Sequence, residues 1–169
     1  VAMNTDTARD DVLGLEPGAA VVYDDPMELN ALRDDLFFYP VPFDKLIADV
    51  CSDAKLRRLV RNVIYDGVLA KLLNISRDQI EMALTKQLGR KVKALALNQA
   101  ALKSGYDYAD EHLTKQDPFV LEPMNQTSGK ILIDGNAAAA LGAMMAGVTV
   151  VAWYPITPST SLFDAFGGF

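Results

Sequence analysis

The sequence predicts an α/β protein built in two parts, and three patterns carry that prediction. Short apolar runs, Ala19–Tyr23 and Leu36–Tyr39, flank a stretch with helix-start chemistry, which is the alternation of a parallel α/β layer. From Asp44 to Gly105 apolar residues recur every three or four positions, the period of helices that bury one face. Further on, Lys130–Ile133 and Val148–Trp153 bracket an alanine-rich segment, the pattern of a compact βαβ unit.

Taken in order, Val1-Ala2-Met3 reads as the end of a strand and Asn4–Asp11 as a polar turn. Leu15-Glu16-Pro17-Gly18 is a turn signal before the buried strand Ala19–Tyr23. Asp25 reads as a helix cap, with Pro26 at the first helical position and Glu28 three residues after the cap. Pro40-Val41-Pro42 closes the strand Leu36–Tyr39. In the helical region Leu56, Leu59 or Val60, Val63 or Ile64, and Val68 mark one apolar face. Ser76 and Gln79 have capping-box spacing, Ile80, Leu84 and Leu88 share a face, and Gly89 suits a left-handed stop. A third helix carries Val92, Leu95, Gln99 and Leu102 and is expected to close at Gly105. Tyr106–Ser128 has no period and reads as an inter-domain linker. The strand Lys130–Ile133 then leads through the turn Asp134-Gly135-Asn136 into a helix ending near Met145 or Ala146, with Gly147 as its stop and Val148–Trp153 as the second strand.

Composition narrows the function classes. A chain of 169 residues with net charge −6 shows no basic face for phosphate neutralisation, so no nucleic-acid partner is expected. One cysteine, Cys51, and one histidine, His112, exclude an internal disulfide and an iron–sulfur cluster held by this chain, and no structural zinc site is expected. Cysteine usage fits a reducing compartment, and the expected location is cytoplasmic. Val1–Asp11 has no apolar core and reads as no signal peptide. Ala137–Tyr154 is long enough to span a bilayer, but its Ala and Gly insert poorly and it runs into two prolines, so no membrane span is expected. Cys51 lies among apolar neighbours on a predicted helix and reads as an inert thiol, and His112 has no second histidine for a metal pair. Arg57, Arg58 and Arg61 form a basic patch on one helix: either a solvated face or a contact for phosphates or a partner subunit.

The sharpest local signal is Tyr154-Pro155-Ile156-Thr157-Pro158. Two prolines fix their own φ angles and push the residues before them into extended conformations. A rigid loop directly after a parallel strand stands where α/β sheets place ligand-contacting groups. Thr157 could present its hydroxyl there to a carboxylate or keto oxygen, or the loop could be a tight structural turn. Asn136 either caps the following helix or serves a left-handed turn, and Ser159 or Ser161 is expected to cap the next helix, with Asp164 completing a box from Ser161.

Gly135, Asn136, Ala146-Gly147, Tyr154–Pro158 and Ser159 resemble the start of the pyrimidine-type domain of thiamine-diphosphate-dependent 2-oxoacid:acceptor (ferredoxin) oxidoreductases. Looser likenesses to the gamma domain of that family lie in Leu15–Gly18, Arg61-Asn62-Val63 and Asn98 to Gly105-Tyr106. The resemblance implies an incomplete Rossmann-like gamma domain with a helical C-terminal part over residues 1–113, a linker over 114–127, and the first βαβ unit of the pyrimidine-type (alpha) domain over 128–169. Both domains would be cut, and the fragment alone would be inactive. Gamma before alpha on one polypeptide resembles the 2-oxoglutarate type of the family more than the pyruvate type.

The resemblance further implies substrate contact by Tyr154, Pro155, Ile156, Thr157 and Pro158 in an assembled enzyme that turns 2-oxoacid and coenzyme A into acyl-coenzyme A, carbon dioxide and two electrons for ferredoxin or another acceptor. Thiamine diphosphate, magnesium and an iron–sulfur cluster would sit on a partner beta subunit. No Gly-Asp-Gly run with a following Asn, which would hold magnesium and diphosphate, is present in this chain. A competing reading makes the chain an assembly or scaffold module of the same complex. A free-standing nucleotide binder is disfavoured, because no Gly-x-Gly-x-x-Gly run follows any strand.

Overall fold

The computed structural model describes residues Val1–Phe169, which divide into two units, Val1–Glu122 and Pro123–Phe169. The first unit holds a small parallel sheet: β1 (Ala20–Asp24) pairs with β2 (Phe37–Val41), with Ala20 opposite Phe37 and Asp24 opposite Val41. Ala2 adds one parallel bridge beside Tyr23, its N–H donating to the Val22 carbonyl at 2.8 Å. Because successive strand side chains face opposite ways, Val22 serves one face and Val21 and Tyr23 the other. On the first face Val22, Tyr39 and Val41 pack with Phe43 and Ile47 of α2 (Phe43–Val50), Val60, Ile64 and Val68 of α3 (Ala54–Leu72), and Ala101 and Ala109 of α5 (Val92–His112). On the second, Val21 and Tyr23 cover Ala8 and Val12 of α1 (Ala8–Leu13) together with Leu29. Helix α4 (Arg77–Leu88) keeps Ile80, Leu84 and Leu88 half-buried and buries none of its residues fully.

Several local expectations are overturned, each for a physical reason. The polar segment before Gly14 forms α1, because Ala8 and Val12, four residues apart, both find the sheet, and Thr7 Oγ1 donates to Asp11 at 3.0 Å. No α-helix starts at Asp25. Two short 3₁₀ turns, Asp25–Met27 and Leu29–Ala31, replace it, separated by Glu28 at φ 48°. The residue before the first turn is Asp24, and its carboxylate accepts from Phe43 N–H and Arg61 instead of capping. Ser76 precedes α4 without a side-chain cap; its backbone carbonyl accepts from Gln79 N–H at 3.2 Å. Gly89 ends α4 in the right-handed region, at φ −54°.

Gly105 does not close the last helix, which runs on to His112. A Cβ at Gly105 would lie 1.9 Å from the Ile64 carbonyl oxygen, and one at Gly67 would lie 2.2 Å from that of Leu102. The two glycines therefore allow α3 and α5 to cross backbone against backbone. Beyond α5 the chain returns to the sheet. The buried Tyr39 hydroxyl donates to Asp117 and accepts from the N–H groups of Gln116 at 2.9 Å and Asp117 at 3.1 Å. Lys115 Nζ reaches the same carboxylate at 2.8 Å, Phe119 N–H donates to it at 2.8 Å, and Leu121 N–H donates to the Leu73 carbonyl at 2.8 Å.

In the second unit α6 (Gly135–Met145) packs on α7 (Ser159–Phe166), with Ala140 fully buried. The expected strands Lys130–Ile133 and Val148–Trp153 do not form. An apolar run becomes a strand only when a neighbour takes its N–H and C=O groups, and these two segments do not pair with each other. Their side chains stand in the open: Ile131 is 75% exposed, Leu132 fully so and Val150 82%. Gly147 does stop α6 in the left-handed region, at φ 91°. No helix of either unit is long and apolar enough to cross a membrane.

Candidate functional site

The loop Tyr154–Pro158 lies between the open Val148–Trp153 segment and α7. Three of its carbonyl groups, those of Tyr154, Ile156 and Pro158, are held from within. Ser159 N–H donates to the Ile156 carbonyl at 2.8 Å, and Ser159 Oγ donates to the same oxygen at 2.6 Å while lying 3.3 Å from that of Tyr154. The Pro158 carbonyl accepts from Asn136 Nδ2 at 3.1 Å and from Ser161 Oγ at 3.1 Å, and Asn136 Nδ2 also donates to Ser161 Oγ at 2.6 Å. Thr157 takes no part in these bonds and is exposed. Trp153 and Phe163 stack 4.4 Å apart under the loop and help line a shallow concavity of about 250 Å³ that reaches Tyr154 and Ile156. Pro155 and Pro158 have no N–H to give, so the donors the loop keeps outside these bonds include the hydroxyl and backbone N–H of Thr157, beside the unbonded carbonyls of Pro155 and Thr157.

The capping roles differ from those the sequence suggested. Asp134 is the cap of α6, accepting from Ala137 N–H at 2.9 Å. Asn136, one of the first residues inside the helix, is thereby released to bond the loop. Ser159 and Ser161 both donate backwards to loop carbonyls, so neither caps α7, whose preceding residue is Pro158. The sequence signal for this arrangement was present in the spacing of Asp134 and Asn136, but two residues that both favour helix starts leave open which of them caps.

The first unit carries a second constellation that sequence reasoning missed. Parallel strands end on one edge, and there a cleft of about 650 Å³ opens between Thr5, Arg9, Asp24, Met27, Leu32 and Asp44. Asp24 is buried at the end of β1, ion-paired with Arg61 and bonded by Phe43 N–H at 3.3 Å. Burial pushes the Asp24 carboxyl above its ordinary range; the Arg61 guanidinium pulls it down and Asp44 adds to the rise. Arg61 Nε also lies 3.5 Å from Asp44, and the guanidinium sits over the Phe43 ring. The signal for this site was an acid immediately after a buried apolar run.

The three arginines of the expected basic patch part company. Arg61 is bound to Asp24 and Asp44, and Arg57 Nε donates to the Cys51 carbonyl at 2.6 Å, while Arg58 is exposed. Cys51 terminates α2, buried, with Sγ 3.4 Å from the Asp53 carbonyl. His112 is the last residue of α5, not part of a linker, and stacks on Tyr108 at 4.7 Å. No group of three or more His, Cys, Asp or Glu side chains is placed to hold a metal ion. One thiol facing a backbone carbonyl does not fit an iron–sulfur cluster, and no diphosphate–magnesium ligand set is assembled from these residues.

The first unit is thus a small parallel α/β layer with polar side chains at its strand ends, and the second a helix pair bonded to a proline-bracketed loop. The family model for pyruvate ferredoxin/flavodoxin oxidoreductase matches residues 1–108, and the chain belongs to this family. It is similar to the alpha subunit of 2-oxoacid:ferredoxin oxidoreductase 1 of Aeropyrum pernix, with 29% identity over 130 residues, 75% of this chain and 20% of that protein. The corresponding subunit of Sulfurisphaera tokodaii is 26% identical over 138 residues, 77% of this chain and 20% of that one. Among solved structures, a 2-oxoglutarate:ferredoxin oxidoreductase from Magnetococcus marinus, determined with 2-oxoglutarate, coenzyme A and succinyl-CoA bound, superposes with a TM-score of 0.79 and 30% identity over 96% of this chain and 28% of that one. The chain spans about a fifth of the length of the curated relatives it matches.

Proposed function

We propose that this chain is part of a subunit of a 2-oxoacid:ferredoxin oxidoreductase that takes 2-oxoglutarate in preference to pyruvate and contacts it through Tyr154–Pro158. In the assembled enzyme the 2-oxoacid and coenzyme A give acyl-coenzyme A and carbon dioxide, and two electrons pass to ferredoxin or another acceptor. Residues 1–113 serve as the gamma domain, 114–127 as the linker and 128–169 as the opening of the pyrimidine-type alpha domain. Thiamine diphosphate, magnesium and the iron–sulfur cluster belong to a partner beta subunit in the cytoplasm. The choice of acid is supported by the similar Magnetococcus enzyme, whose structure holds 2-oxoglutarate and coenzyme A.

The observation that carries the site is the hydrogen-bond arrangement of the loop. The Tyr154, Ile156 and Pro158 carbonyls are engaged by Ser159, Ser161 and Asn136, which fixes the backbone on both sides of Thr157 and leaves its hydroxyl outside these bonds. The exposed Thr157 hydroxyl and N–H, donors on a fixed backbone, suit the carboxylate or keto oxygen of a 2-oxoacid. The test uses the full-length parent enzyme purified with its partner. Dye reduction by 2-oxoglutarate and by pyruvate is followed with and without coenzyme A, in wild type and Thr157→Ala. Coenzyme-A-dependent reduction by 2-oxoglutarate, weakened roughly 10–100-fold in kcat/KM by Thr157→Ala, is expected for loss of one oriented contact. An unaltered Thr157→Ala enzyme would remove the loop from the substrate.

A second reading makes residues 1–113 an assembly module of the same complex; Arg57 and Arg61, tied to this chain's own Cys51 carbonyl, Asp24 and Asp44, are held for neither phosphates nor a partner.

A further inference from the structure

We infer that Asn136 is the positioning residue of the substrate loop, holding Thr157 in place from the neighbouring helix; this rests on the reading of Tyr154–Pro158 as the substrate contact. The side-chain amide of Asn136 has two N–H groups, and both are directed at the far end of the loop. One donates to the Pro158 carbonyl at 3.1 Å and the other to Ser161 Oγ at 2.6 Å, while Ser161 Oγ donates in turn to the same carbonyl at 3.1 Å. The three groups close a triangle in which each N–H and O–H has an acceptor. Thr157 is the residue immediately before the clamped carbonyl.

The cap assignment gives this arrangement its meaning. An Asn at a helix start ordinarily satisfies a free backbone N–H with its side-chain oxygen. Here Asp134 does that work for Ala137 N–H, and Asn136 turns its nitrogen, a donor, away from the helix and across 22 residues of sequence to the loop. At the near end, Ser159 N–H and Oγ hold the Ile156 carbonyl at 2.8 and 2.6 Å. Thr157 thus stands between two fixed carbonyls, one held from α7 and the other from α6 as well. Errors of about 1 Å in the placement of a contacting group cost on the order of 100-fold in rate, so a residue that fixes the loop controls the use of substrate without touching it.

The discriminating variant is Asn136→Asp in the full-length enzyme with its partner subunit. A carboxylate keeps the shape of the side chain and favours the first turn of a helix, so a merely structural role predicts unchanged or raised thermal stability and unchanged kinetics. A carboxylate has no N–H, however, and repels the Pro158 carbonyl. The positioning role predicts a roughly 10–100-fold fall in kcat/KM for the 2-oxoacid, with the KM for coenzyme A unmoved and the melting temperature retained. Because residues acting as one unit are not additive, Asn136→Asp on a Thr157→Ala background should cost little further.

Ser161→Ala serves as a second variant, expected to weaken 2-oxoacid use less than Asn136→Asp because the direct bond to Pro158 remains. It also tests the clamp if Asn136→Asp does not assemble; kinetics unchanged by Ser161→Ala would then sink the proposal. Full additivity of Asn136→Asp and Thr157→Ala, or wild-type 2-oxoacid kinetics in Asn136→Asp, would overturn the positioning role while leaving the loop at the substrate. Wild-type kinetics in Thr157→Ala alone would instead remove the reading beneath it, and the positioning role with it.

Discussion

Tyr39 illustrates how much a single buried polar group can hold. Its hydroxyl donates to Asp117 and accepts two backbone N–H groups, so the phenol oxygen bonds a carboxylate and a turn of chain 77 and 78 residues away. Tyr39→Phe leaves two amides and part of a buried carboxylate unpaired, and a loss of about 1–3 kcal/mol is expected from chemical denaturation of the chain. Burial by itself pushes the Asp117 carboxyl up, but the Lys115 ammonium, the Tyr39 hydroxyl and the Phe119 N–H together hold it below its ordinary 3.8. A carboxyl with a depressed folded-state pKa stabilises fully above its unfolded value, and that contribution disappears as pH falls through the folded value. The stability gap between wild type and Asp117→Asn should therefore be largest well above the ordinary 3.8 and shrink as pH falls through the acid range below it. A gap that held constant across that range would remove Asp117 from the account. None of this was legible in the sequence, where Lys115 and Asp117 lie in a stretch without period and Tyr39 is one more strand residue. Contacts of such long sequence separation leave no local pattern. The Tyr154–Pro158 loop was legible for the opposite reason: two prolines write their backbone restriction directly into the sequence.

At the scale of elements, periodicity finds the helices and misjudges some of their ends. Val60, Ile64 and Val68 line the buried face of α3 as expected, whereas Leu56 and Leu59, on the same expected stripe, are 41% and 73% exposed. Glycine is a good helix stop, and Gly105 has the sequence position of one, yet it serves a helix crossing that only three-dimensional packing reveals. The sign of one substitution decides between these roles. Replacing glycine by alanine in an unobstructed helix stabilises by roughly 0.5–1 kcal/mol. Gly142, in α6, has nothing within 4 Å of an added Cβ, and Gly142→Ala should raise helicity and thermal stability in that range. Gly105→Ala, with a carbonyl 1.9 Å from the new carbon, should instead destabilise by about 1–3 kcal/mol in denaturant titration. A stabilising Gly105→Ala would mean that the crossing is looser than it stands here. The two strands expected at Lys130–Ile133 and Val148–Trp153 fail at this scale too. Their apolar character is plain in the sequence, but a ladder needs partners that no single run can specify.

For the chain as a whole, the apolar surface is distributed unevenly. The first unit has two packed clusters on opposite faces of its sheet, while in the second only Ala140 is buried. Cooperative stability therefore belongs to Val1–Glu122. Limited proteolysis of the chain with trypsin should cut first at Lys130, which is exposed and free of regular structure, and release a stable fragment containing residues 1–122. First cleavage at Arg57 or Lys71, within α3, would contradict that ordering. The Gly67–Gly105 crossing bears on motion as well as stability. Packed helices shear past one another when side chains between them exchange rotamers. Where backbone lies on backbone there are no rotamers to exchange, so α3 and α5 have no means of sliding at that point. Whatever displacement this unit undergoes, these two helices should travel through it as one rigid lever.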